Sequence, residues 1–212
     1  KDKDAAAEFE VLAKLKPVLE EGKPARSIDW NEDEQKIVRG LFLLTSKPVL
    51  YVANVAEDDM ADPESSKYFQ QIKEFAAAEN ADVIGISARA EEELAGMDDE
   101  DKAELMELQG ITEPGLNRLI RSAYHLLDLR TFFTGGKETR AWTFRAGMKA
   151  PQVAGVIHSD FERGFIRAET VAFADLDEYG SMKAVKEAGR RRSEGKEYVV
   201  QDGDIIEFLF NV

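Results

Sequence analysis

Two apolar runs without polar alternation constrain the fold of this 212-residue chain more than any other feature: Val49-Leu50-Tyr51-Val52-Ala53, and the Val83-Ile84-Gly85-Ile86 part of residues 82–87. A strand that is apolar on both faces must be covered on both faces, the condition of a central strand in a parallel sheet. Between the runs, residues 63–80 carry Tyr68, Ile72, Phe75 and Ala76 at helical spacing. Strand, helix and strand at this separation predict a βαβ unit with a right-handed crossover. The chain is therefore expected to be an α/β protein at least in part.

The flanking segments extend this reading. Residues 4–21 place Phe9, Leu12, Leu15 and Leu19 three or four apart, which predicts an amphipathic helix with one buried stripe. Gly22-Lys23-Pro24 stops it. Asn31, with Glu34 three residues on, reads as the capping box of a second helix running to about Leu43. Residues 88–108 are acidic and helical in pattern, and Leu116, Leu119, Ile120, Tyr124 and Leu127 form one face of a further helix after Pro114. From Leu129 the texture changes. Thr131-Phe132-Phe133-Thr134 and residues 138–144 read as strands around Gly135-Gly136, a hairpin signal. Residues 196–200 and 205–210 read as two more strands around the turn Gln201-Asp202-Gly203-Asp204. Strands at both ends with short helices between predict a small α+β sheet domain. The sequence shows no internal repeat.

Composition narrows the function classes. Cysteine is absent, which removes disulfides, thiolate catalysis and cysteine zinc sites. His125 and His158 stand alone and make a poor metal set. No window reaches the roughly eighteen apolar residues of a spanning helix, and no apolar signal segment opens the chain, so a non-membrane protein is the expectation, with a cytoplasmic location as the default and a monomer as the expected state. Its start, Lys1-Asp2-Lys3-Asp4, lacks Met and is already in helical register, as in a fragment or processed chain. The net charge of −14 lies wholly in residues 1–129, because residues 130–212 hold 13 basic and 13 acidic side chains. Two modules with different surroundings are implied, and the neutral one is the better candidate to approach phosphate.

The chemistry concentrates where the two predicted strands end. Ligands of open α/β sheets sit beyond the carboxyl ends of strands, and there the chain places Asn54-Val55-Ala56-Glu57 and Ser87-Ala88. GTPases of the P-loop type carry Asn-Lys-x-Asp at the first position, and the Asp accepts from guanine N1–H and its exocyclic amine. Here Val55 replaces the Lys and Glu57 the Asp. Guanine's donors thereby lose their short acceptor, while the Asn54 amide can still pair with N6–H and N7 of adenine. An unmade polar pair costs about 1–3 kcal/mol, enough to invert a preference towards ATP. A strand ending in Asn is common by itself; the order and spacing of both elements in one βαβ unit make the constellation informative.

These segments, together with Thr131-Phe132-Phe133-Thr134-Gly135-Gly136-Lys137-Glu138-Thr139-Arg140-Ala141-Trp142 and residues 155–169, resemble the YchF (EngD, Obg-like) ATPases along essentially the whole chain. The resemblance implies residues 1–24 as the returning arm of a helical coiled-coil insertion and 25–129 as the last part of a nucleotide-binding domain. It implies 130–212 as a TGS domain of the ubiquitin-like β-grasp type. It also implies adenine contacts from Asn54 and the Val55 backbone, with Ser87 and Ala88 closing the pocket, and Glu57 as the family's departure from the GTPase pattern. ATP is then the cofactor, its magnesium held by an upstream part, and the ribosome or RNA the partner. No Gly-x-x-x-x-Gly-Lys-Ser/Thr occurs in these residues, so this chain alone is expected not to hydrolyse ATP. The alternative is a nucleic-acid or ribosome-binding regulatory module without catalysis. Its candidate contacts are Arg140, Lys149, Arg163, Arg167, Arg190, Arg191 and Arg192, although a charge run is commonly a solvated face. His158 beside Asp160, Glu162 and Arg163 reads as a helix-end network, and residues 91–101 as solvated acidic helix surface.

Overall fold

The computed structural model describes residues 3–135 and 139–211, and the chain divides into two compact units, 1–126 and 127–212. The first unit runs α1 (Lys3–Glu20), α2 (Glu32–Gly40), β1 (Leu50–Asn54), α3 (Lys67–Ala78), β2 (Asp82–Ile86), α4 (Ala88–Ala95), α5 (Asp99–Leu108) and α6 (Gly115–Leu126). β1 and β2 pair in parallel, in register from Leu50 opposite Asp82 to Asn54 opposite Ile86. Asn31 caps α2 as its sequence predicts. Its side chain accepts from the amides of Asp33 and Glu34 at 3.0 Å each, and the Glu34 carboxylate takes the Asn31 amide at 3.1 Å. The helix ends at Gly40 rather than near Leu43, because Phe42 adopts φ 52, which a right-handed helix cannot continue.

Two apolar faces differ from expectation. On α1 the buried residues are Val11 and Leu15, while Phe9, Leu12 and Leu19 are exposed. α2 packs against α1, and residues four apart such as Val11 and Leu15 form one row on a helix, which Phe9 and Leu12 flank. On α6 only Gly115 is buried, and Leu116, Ile120 and Tyr124 are exposed. Periodicity located the apolar face of α6 correctly, but the described residues of its unit do not cover it.

The second unit runs β3 (Leu129–Thr134), β4 (Arg140–Arg145), α7 (Ala150–Ile157), α8 (Ser159–Arg163), β5 (Phe165–Ala172), α9 (Phe173–Tyr179), α10 (Met182–Glu187), β6 (Arg192–Glu194) and β7 (Asp204–Phe210). Its five strands are ordered β4-β3-β7-β5-β6, with β3 parallel to β7 and the other pairs antiparallel. β3 and β4 pair as predicted; part of the Gly135-Gly136 signal between them lies outside the described residues. β5 is an eight-residue strand where only short helices were expected. A register shift between Phe165 and Arg167 breaks its alternation and hides the period-2 signal. Residues 196–200, expected as a strand, form only a single bridge from Val199 to Lys149, and the short strand lies earlier, at Arg192–Glu194.

Phe132 is fully buried at the centre of the main core of this unit. Its ring meets Phe144 and Phe208 edge-on at 5.8 and 5.9 Å and stacks on Trp142 at 6.4 Å. Val153 and Ala154 of α7 close that core. Removing such a ring costs about 3–5 kcal/mol. The entry to β7 is held by buried Asp204, whose Oδ2 accepts from the Tyr198 hydroxyl at 2.7 Å and the Gln201 amide at 2.9 Å. The same turn is tied to β3: Thr131 N donates to Asp202 Oδ1, and Gly203 N to Thr131 O, both at 2.7 Å.

Candidate functional site

Because β1 and β2 end in register, the residues that follow them lie side by side. Val55 N donates to Ile86 O at 3.0 Å. The exposed Asn54 accepts from the Ala88 amide through Oδ1 at 3.0 Å, joining the two strand ends. Ser87 is 2% exposed and caps α4, its hydroxyl accepting from the Ala90 amide at 3.4 Å. Asn54 keeps one lone pair on Oδ1, and its two N–H groups donate to none of the described residues. The strand ends thus present a fixed amide edge that carries both an acceptor and donors.

The Val55 side chain packs on a small core of Met60, Ala90 and Ile111, so the position that carries Lys in the GTPase pattern is anchored inward by apolar contact. Glu57 opens a 3-10 turn, Glu57–Asp59, and its Oε1 is held by Arg89 Nε at 2.9 Å; Arg89 also reaches Glu93 at 3.5 Å. Sequence reasoning passed over Arg89. The available signal was its place directly after Ser87-Ala88, one helical turn before Glu93. The same helix braces the site from behind. Glu91 accepts from the amides of Gly115 and Leu116 at 2.6 and 3.1 Å, and Arg118 donates to Gly85 O at 2.7 Å. Gly115 is required there, since a Cβ would lie 2.9 Å from Ile86 Cγ2.

The basic residues of the second unit are mostly engaged within it. Arg163 pairs with Asp160, Lys149 with Glu197, and Arg167 with Glu169 at 2.9 Å. Arg191 bridges Glu169 at 3.2 Å and Glu207 at 2.9 Å, and Arg192 reaches the Tyr198 hydroxyl at 3.2 Å. The Tyr179 hydroxyl beside Arg190 holds its guanidinium pKa above the ordinary value. Arg140 instead lies over the Trp142 ring, 4.1 Å from its centroid. Arg140 is on β4 and Arg192 on β6, the two opposite edges of the sheet. His158 serves as the N-cap of α8, accepting from the Asp160 amide at 3.2 Å.

Residues 129–211 match the family model YchF-GTPase_C, described as a protein of unknown function. The ribosome-binding ATPase YchF of Bacillus subtilis (strain 168) is 59% identical over 213 residues, covering 100% of this chain and 58% of that protein. The chain belongs to the YchF family. The YchF protein of Escherichia coli O157:H7, also named a ribosome-binding ATPase, is 49% identical with the same coverage. The solved structure titled the Schizosaccharomyces pombe YchF GTPase aligns with TM-score 0.84 and 35% identity over 98% of this chain and 55% of that one. A GTP binding protein from Pyrococcus horikoshii OT3 aligns at TM-score 0.56 and 19% identity, over 97% and 56% of the two chains, which is a likeness of fold. The chain spans little more than half the length of these YchF relatives. Among the described residues, no helix is long and apolar enough to cross a membrane.

Proposed function

We propose that this chain supplies the base-recognition end of an ATP-preferring nucleotide site, within a cytoplasmic, monomeric, ribosome-associated YchF-type ATPase. The observation that carries the reading is the pair of strand ends locked by the Asn54–Ala88 hydrogen bond, with Glu57 engaged by Arg89. Asn54 offers adenine a donor for N7 and an acceptor for N6–H, the Val55 backbone and Ser87-Ala88 frame the base, and Glu57 is paired with Arg89. The names of the B. subtilis and E. coli relatives support ATP and ribosome association, while the S. pombe relative is named a GTPase; the residues at positions 55 and 57 favour the former. The phosphates and magnesium belong to residues outside these 212. Among the described residues no three His, Asp or Glu side chains gather as metal donors.

We read residues 1–24 as one arm of a helical insertion, 25–129 as part of the nucleotide domain, and 130–212 as a TGS domain of the β-grasp type. The parallel pairing of β3 with β7, the first and last strands of that sheet, supports the last assignment. That domain is the part proposed to meet the ribosome, with Arg140 and the residues around Arg190-Arg191-Arg192 as its contacts. The test of base recognition is a residue-resolved NMR titration of the chain with ATP and with GTP. ATP is expected to shift the amides of Asn54, Val55 and Ala88 at several-fold lower concentration; equal or stronger shifts with GTP would overturn the adenine reading.

A further inference from the structure

We propose that the second unit carries a ligand cleft for a small amphipathic anion: an aromatic or branched apolar body bearing one negative headgroup. The cleft lies between the end of β3, β7 and the α9–α10 pair. It has a volume of about 590 Å³ and an apolar wall formed by Phe133, Phe173, Leu176, Met182 and Ile205. That volume is in the range of small-molecule sites, about 300–1,000 Å³. Its floor is a second small core, Val171, Val185 and Ile205. At its mouth Phe173 is 54% exposed and Met182 43% exposed. Large apolar side chains left in water and rimmed by polar groups mark binding surfaces.

The cleft continues into a polar one of about 380 Å³, and the two share Glu169, Arg191 and Glu207. Glu169 and Glu207 face each other directly across β5 and β7, an arrangement that repels unless a cation bridges it. Arg191 is that bridge. Arg167 and Lys186 line the polar end as well. Lys186 makes no ion pair with a described residue. Three cations against two carboxylates leave one positive charge beside an apolar pocket. A single sulfonate or carboxylate on an apolar body matches both halves, whereas a polyphosphate would bring more negative charge than the cleft can neutralise.

The probe pair is 8-anilinonaphthalene-1-sulfonate and its neutral analogue N-phenyl-1-naphthylamine, titrated into the isotope-labelled chain by NMR. The sulfonate is expected to shift resonances of Phe173, Leu176, Met182 and Lys186 together. Lys186→Glu is expected to weaken the sulfonate by about tenfold while leaving the neutral analogue unchanged; Met182→Asp, at an exposed position, is expected to weaken both. Shifts confined to residues 3–126, an unmoved cleft, or equal effects of Lys186→Glu on both probes would overturn the proposal.

Discussion

Asp204→Ala is expected to unlatch the entry to β7, and the contacts set the size of the loss. One oxygen, Oδ2, accepts both the Tyr198 hydroxyl at 2.7 Å and the Gln201 amide at 2.9 Å, and Asp204 is 2% exposed. Alanine leaves two partly buried donors without a partner. Each such loss costs about 1–3 kcal/mol, and both donors are near enough to the surface for the lower half of that range, so about 2–4 kcal/mol is expected in total. Arg192 lies 3.5 Å from Oδ1 and is itself exposed, so its contribution is about 1 kcal/mol or less. Asparagine keeps an oxygen in place of Oδ2 and surrenders only that charge contact. Asp204→Asn should therefore lose about a third of what Asp204→Ala loses. The chain has two tryptophans, Trp30 and Trp142, one in each unit. Urea unfolding followed by Trp142 fluorescence in a Trp30→Phe background reads the second unit alone, and the midpoint shift multiplied by the slope gives the difference. Equal losses for the two substitutions, or a loss below about 0.5 kcal/mol for alanine, would refute the reasoning.

Two further outcomes follow from the same unit. Burial, and then the hydrogen bond to Asp204, push the Tyr198 hydroxyl up to about 12. A raised folded pKa contributes stability that is intact below the unfolded value of about 10 and lost as pH climbs towards 12. Tyrosinate absorbance should show a late step that Tyr198→Phe removes; loss of an early step instead would contradict it. Arg191→Ala should destabilise by about 1 kcal/mol at neutral pH, because Glu169 and Glu207 then face each other unbridged. Burial raises the Glu169 pKa, but the Ser193 hydrogen bond and the charges of Arg191 and Arg167 outweigh it and leave it lowered. Its contribution is present above the unfolded carboxylate value and fades as pH falls through the folded one, so the Arg191→Ala deficit should shrink in acid. A deficit that persists unchanged in acid would assign the effect to packing.

What could be read from sequence was whatever depends on near neighbours along the chain. The Asn31–Glu34 box, the two parallel strands and the β3–β4 pairing all follow from local pattern, and all are present. β5 escaped because a one-residue irregularity near Ile166 cancels the alternation that identifies a strand. The apolar positions of α1 and α6 were visible, but which of them are covered depends on surfaces brought from elsewhere, as exposed Phe9 and Leu116 show. Arginines could be counted, yet their partners could not. The Arg191 bridge spans strands that meet only in the folded sheet, and Arg89 reaches Glu57 only because β1 and β2 end in register.

The Arg89–Glu57 pair also limits how selective the proposed base site can be. Arg89 is 77% exposed at its side chain and Glu57 35%, and exposed pairs of this kind are worth about 0.2–1 kcal/mol. Guanine could therefore draw Glu57 away from Arg89 at small cost if the longer side chain still reached its N1–H. The ion pair alone cannot exclude GTP. What remains is the placement of Asn54, whose Oδ1 is already committed to Ala88 and so cannot swing to suit a different base edge. A mismatch there costs about 1–3 kcal/mol, which bounds the selectivity of the base site at about fivefold to 150-fold. Discrimination measured well above that range would have to come from residues outside this chain.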